Sequence, residues 1–131
     1  MEDQNQLKIE LVLKKDSTTE QVFALSQCDY NFSPSYYQEE DNKPPIAFNL
    51  SGGVKSITDP ILLDWLCDQE GEWSGSIKLY KQETLTLHMT FKKSKVTGCS
   101  QSFSEHHQFE GLETYFSANL EGVTLNETTI N

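Results

Sequence analysis

At 131 residues the chain has room for one domain and a sizeable core, and its 36% apolar content with abundant Ser, Thr, Asn and Gln suits strands with one wetted face. Twenty acidic residues face ten lysines, arginine is absent and the net charge is −10, which argues against binding to nucleic-acid phosphates, where clustered cations are required. No run reaches the roughly 18 apolar residues of a membrane span, and the opening "MEDQNQLKIE" is acidic and polar, unlike a secretory signal.

Along the chain, Leu7, Ile9, Leu11 and Leu13 alternate with Lys8 and Glu10, the period of a half-buried strand. "DST" at 16–18 supplies a turn. "QVFALSQCDYNF" follows as a second strand with apolar residues on both sides. "SPSYYQEEDNKPP" (33–45) interrupts the pattern with three prolines, two tyrosines and a carboxylate cluster, and reads as a long loop. Ile46, Phe48 and Leu50 resume the alternation until "SGG" at 51–53, which is expected to end or bulge the strand.

The stretch "DPILLDWLCDQEG" (59–71) bunches its apolar residues and predicts a helix. Thr58 or Asp59 can cap it, Pro60 suits its first position and Gly71 can close it. Leu62, Trp65, Leu66 and Gln69 line one side, with Ile61 and Leu63 broadening the apolar face. Asp64 and Asp68, at i and i+4, oppose the helix dipole and are candidate contacts to a basic surface. The one basic cluster is Lys92, Lys93 and Lys95.

"GSIKLYK" and "TLTLHMTF" read as a hairpin across "KQE", with Ile77, Leu79, Leu85, Leu87, Met89 and Phe91 facing in. Further strands are expected over 96–103 and 114–120, continued by Val123 and Leu125, before a fraying tail at 126–131. The total is a mainly β chain: a small antiparallel barrel or sandwich of seven or eight strands with one helix, forming a single domain over 1–131.

Catalytic motifs are missing: there is no GxSxG, phosphate loop, CxxC or HExxH. "EHHQFE" groups Glu105, His106, His107 and Glu110, but a metal needs further ligands at fixed geometry, and no metal or cofactor is assigned. Cys28, Cys67 and Cys99 are odd in number and read as reduced thiols. The chain reads as a non-enzyme.

The order of "CDYNF", "NKPP", "PILLDWL", "GSIKLYK", "LTLHMTF", "SFSE" and "YFSANLEGVTL" resembles the Hcp (TssD) tube proteins of type VI secretion systems, in their Bacteroidetes form, over residues 7 to 125. Trp65 matches the family's helix tryptophan, Ser117 and Ala118 its closing Ser-Ala step, and Phe91 and Phe103 its later aromatics. The resemblance implies a small β-barrel that forms hexameric rings, stacks into a tube inside a contractile sheath, and is driven out with a spike at its tip. It implies partners in the ring, sheath, baseplate and spike, effector proteins in the lumen, and a cytoplasmic origin before secretion through the apparatus. On the same reading the helix lies on the outside of the barrel. Tyr36 and Tyr37, with Glu39, Glu40, Asp41 and Lys43, would reach the neighbouring ring through the 33–45 loop. Asp64, Asp68, Lys92, Lys93 and Lys95 would be further contact residues. Alternatives are an accessory or cargo-carrying ring, a tail-tube subunit of a related contractile injection system, and a stand-alone barrel binding a small ligand.

Overall fold

The computed structural model describes residues 7–16, 18–34, 46–55, 58–68, 70–103 and 112–131. Its elements are β1 (Leu7–Lys14), β2 (Glu20–Pro34), β3 (Ile46–Val54), α1 (Pro60–Leu66), β4 (Ser74–Lys81), β5 (Thr84–Phe91), β6 (Lys93–Phe103), β7 (Leu112–Glu121), β8 (Thr124–Leu125) and β9 (Thr128–Thr129). All nine strands belong to one antiparallel sheet in the order β6-β7-β3-β2-β1-β4-β5-β8-β9. The mainly β, one-helix architecture is the expected one.

The mode of closure differs from a simple barrel. Among the described residues no ladder joins the two ends of the sheet. Two bent ribbons round the corner instead. β5 runs into β6 through Lys92, and β7 runs into β8 through Gly122 and Val123. Their pairing continues across the bend: Thr90 opposes Thr124, the Lys92 amide donates to the Glu121 carbonyl at 2.9 Å, and Lys93 opposes Glu121. Gly122 sits at φ +70°, where a side chain is disfavoured, and the Lys92 side chain packs across it.

Inside the roll, Leu11, Leu13, Phe48, Leu50, Ile77, Met89, Phe91, Phe116, Leu120 and Val123 form one core with Leu62, Trp65 and Trp73. The helix is shorter than its apolar run. Asp59 caps it, its carboxylate accepting from the Ile61 and Leu62 amides, and Cys67 ends it, so Gly71 lies four residues past the C-cap. Leu62 and Trp65 are fully buried, whereas Leu63 remains exposed. The Trp65 indole meets the Phe116 ring edge-on and donates to the Ser94 hydroxyl at 2.9 Å, which in turn donates to the Trp73 carbonyl. The helix therefore plugs the roll where the starts of β4 and β6 approach without pairing.

Several strand expectations change in detail. β2 does carry apolar residues on both faces: Val22 is exposed on the outer one, while on the inner one a bulge between Leu25 and Gln27 shifts the phase from Phe23 and Leu25 to Cys28, Tyr30 and Phe32. The glycines of "SGG" do not end β3. A side chain at Gly52 would come within 3.0 Å of the Phe116 ring, so the strand needs the gap. A second bulge, between Leu79 and Tyr80, pairs Leu85 with Tyr80 on the outward face, and Leu85 is accordingly exposed. At the solvated end of β1, Leu7 is exposed too. The tail is tied down, contrary to the fraying expected: Asn131 accepts from the Val123 amide and donates to the carbonyls of Ile46 and Leu120.

Candidate assembly surface

Strands β6, β7 and β3, with the 27–33 stretch of β2, present an outward face made mainly of polar side chains. The alternation that buries Leu50, Phe116, Ala118 and Leu120 sends Asn49, Ser51, Tyr115, Ser117 and Asn119 outward. Cross-strand pairing sets them in rows. Asn31, Asn49, Asn119 and Lys95 form one row, with the Asn49 amide donating to Asn31 at 3.4 Å. Asp29, Ser51, Ser117 and Gly98 form the next, and the hydroxyls of Ser51 and Ser117 lie 3.3 Å apart. Ser51, Ser117 and Gly98 line a shallow trough of about 390 Å³ together with Gln27, Asp29, Ser100 and Tyr115.

Charge lies at the margins of this face, with Lys95 and Asp29 on its lateral edges. Lys93 opposes Glu121 at one end; at the other, Glu113 accepts from the Ser26 hydroxyl and, at 3.1 Å, from the Tyr115 hydroxyl. The bond to Glu113 holds the Tyr115 phenol above its ordinary range. No ladder covers the face's two lateral edges among the described residues. β6 pairs with β7 alone, and β2 beyond Leu25 pairs with β3 alone, because β1 reaches only to Ile9 opposite Leu25.

The sequence-predicted contact residues fall in three groups. Tyr36, Tyr37, Glu39, Glu40, Asp41 and Lys43 lie outside the described residues, as do Glu105, His106, His107 and Glu110. Asp64 is exposed and pairs with Lys15 at 3.7 Å. Asp68 lies beyond the helix, where its carboxylate accepts from the amides of Glu70, Gly71 and Glu72 and holds the following turn. Lys92 is at the corner, while Lys93 and Lys95 are exposed on the outward face of β6. Among the described residues no group of three or more metal-ligating side chains is gathered.

The residues that sequence reasoning missed are Asp29, Asn31, Asn49, Tyr115 and Asn119. Their signal was present in "YFSANLE" and "FNLS", where each polar residue alternates with a buried one. Alternation locates a wet face; it does not distinguish an unused one from one that serves assembly.

The described residues form a β-roll with a helix packed on its core, a wet four-stranded face and two edges that no ladder among them covers. The chain belongs to the family described as hemolysin coregulated protein Hcp (TssD), which it matches over residues 2–131, and whose members are the structural subunits of the type VI secretion tube. Its fold is similar to that of Hcp1 from Flavobacterium johnsoniae, with a TM-score of 0.70 at 11% identity, covering 95% of this chain and 98% of that one. Hcp1 from Salmonella typhimurium is similar at TM-score 0.61 and 13% identity, with 90% and 92% covered. The tube-terminating cap of the anti-feeding prophage is similar at TM-score 0.55 and 11% identity, with 88% and 87% covered. No curated protein matches the chain in sequence.

Proposed function

We propose that this chain forms hexameric rings that stack into a type VI inner tube, with the outward face of β6-β7-β3-β2 lining the bore. The observation that supports this most is the chemistry of that face. A bore through which proteins pass gains from a wall without apolar patches, because exposed apolar area would hold a passing chain. Rows of Asn and Ser offer hydrogen bonds that water also satisfies, so a passing chain gains little by binding them. On this reading sheath, baseplate and spike proteins are the outer and axial partners, and effector proteins occupy the lumen. The likeness to the anti-feeding prophage cap supports a second reading, an accessory or terminal ring of a related contractile machine.

Labelling tests the placement of the bore. In a background with Cys67 and Cys99 replaced by serine, an Asn49→Cys variant is treated with a small maleimide and with a maleimide on a long polymer. In assembled rings the small reagent is expected to react and the large one to be excluded. Equal reaction with both would remove the face from the bore.

A further inference from the structure

β2 is the strand that both parts of the roll share: it pairs with β1 up to Leu25 and with β3 from Leu25 onward. The changeover falls on Ser26, the extra residue of the bulge, which belongs to neither ladder. Glu113 reaches this point from β7, two strands away in the sheet. Its carboxylate passes over Gly53 of β3, where one oxygen accepts from the Ser26 hydroxyl and the other from the Tyr115 hydroxyl at 3.1 Å. The Ser26 hydroxyl also lies 3.3 Å from the Gly53 carbonyl. We propose that Glu113, Gly53 and Ser26 form a clip inside each copy that positions the wet sheet on the rest of the roll, and so holds the copy in the shape that assembles. This rests on the ring reading above.

Space, position and chemistry separate this bridge from an incidental surface bond. A Cβ at Gly53 would come within 2.9 Å of both the Glu113 carboxylate and the Ser26 hydroxyl, so the bridge exists only because that position has no side chain. Gly53 has no left-handed backbone angle, so its own conformation does not call for glycine. The bridge spans three strands at the place where β2 changes partner, and it holds the one residue there that no ladder holds. Its acceptor is a carboxylate, and hydrogen bonds to an ionised acceptor are about twice as strong as neutral ones. A closed ring repeats one angle between copies, so every copy must present one shape. A roll free to flex at this bulge would lose that freedom on assembly; the clip removes it beforehand.

Dissociation of the multimer on dilution, followed by light scattering, tests the clip, with circular dichroism checking that the strands form. Glu113→Ala and Ser26→Ala each remove one side of the bridge, and Gly53→Ala blocks it while leaving both polar groups in place. Each single variant is expected to dissociate at a roughly tenfold higher concentration than the unaltered chain, the fold-change of about one hydrogen bond. Combining Glu113→Ala with Gly53→Ala is expected to add little, because both open the same clip. Glu113→Gln keeps an acceptor oxygen for Ser26 and is expected to regain most of the lost affinity. Ser26 is exposed, so Ser26→Ala carries the same comparison if Glu113→Ala does not fold. Unchanged dissociation in the alanine variants, additive losses in the double variant, or Glu113→Gln no better than Gly53→Ala would overturn the clip while leaving the ring. A monomeric unaltered chain would overturn both.

Discussion

Two side chains show how local chemistry becomes measurable. Burial pushes the Cys28 thiol up to about 11, with the Asp29 carboxylate beside it adding to the shift, whereas Cys67 and Cys99 are exposed. The thiolate is the reactive form, so iodoacetamide at pH 8 is expected to modify Cys67 and Cys99 well before Cys28, as mass spectrometry of the labelled peptides would show. Equal rates would contradict the burial. Asp16 lies in the turn between β1 and β2, where hydrogen bonds from the Thr18 amide and hydroxyl and the Thr19 amide lower its pKa below the usual 3.8. A carboxyl lowered on folding contributes stability above its unfolded value, and this is lost as pH falls through the folded one. An Asp16→Asn variant is therefore expected to lose less thermal stability than the native chain between pH 5 and pH 3. An identical loss in both would mean that the turn does not hold the charge.

Single elements carry their own energetics, and here the sequence was only partly legible. The Asp59–Pro60 start of the helix was readable because a cap and a first-turn proline are local signals. Its end was not, because Asp68 draws the amides of Glu70, Gly71 and Glu72 into a turn and overrides the apolar run. Asp59→Ala should cost about 1 kcal/mol, the usual loss of an N-cap, read from the shift in the urea midpoint. Bulges were misread for a related reason: an extra residue in β2 or β5 changes which face follows it, and only the partner strand reveals the slip. The β4–β5 hairpin holds Gln82 at φ 55° and Glu83 at φ 72°, backbone angles that favour Asn and Gly. Replacing the pair by Asn-Gly is expected to raise Tm by about 3–5 °C, following a gain of about 1 kcal/mol. A fall in Tm would mean that the native side chains make a contact that outweighs the strain.

At the scale of the whole molecule, the mainly β roll with its one helix followed from alternation and caps, while the assembly surface did not. A wet face is written as ordinary polarity, and an open edge is defined by which strands fail to meet, a property of three-dimensional pairing. Lys92, Lys93 and Lys95 were singled out as the one basic cluster; strand pairing sets Lys93 and Lys95 on the outward face of β6 and leaves Lys92 at the corner. The acidic balance of −10 favours repulsion between unassembled copies, which any assembly of the chain has to overcome. Added salt screens that repulsion.

The central claim is that the chain is a ring-forming tube subunit, and the most direct measurement is the mass of the purified protein by light scattering with negative-stain imaging of the main peak. A mass near six times 14.9 kDa and annular particles with an open centre are expected. A 14.9 kDa species at high concentration, without rings in the images, would contradict it.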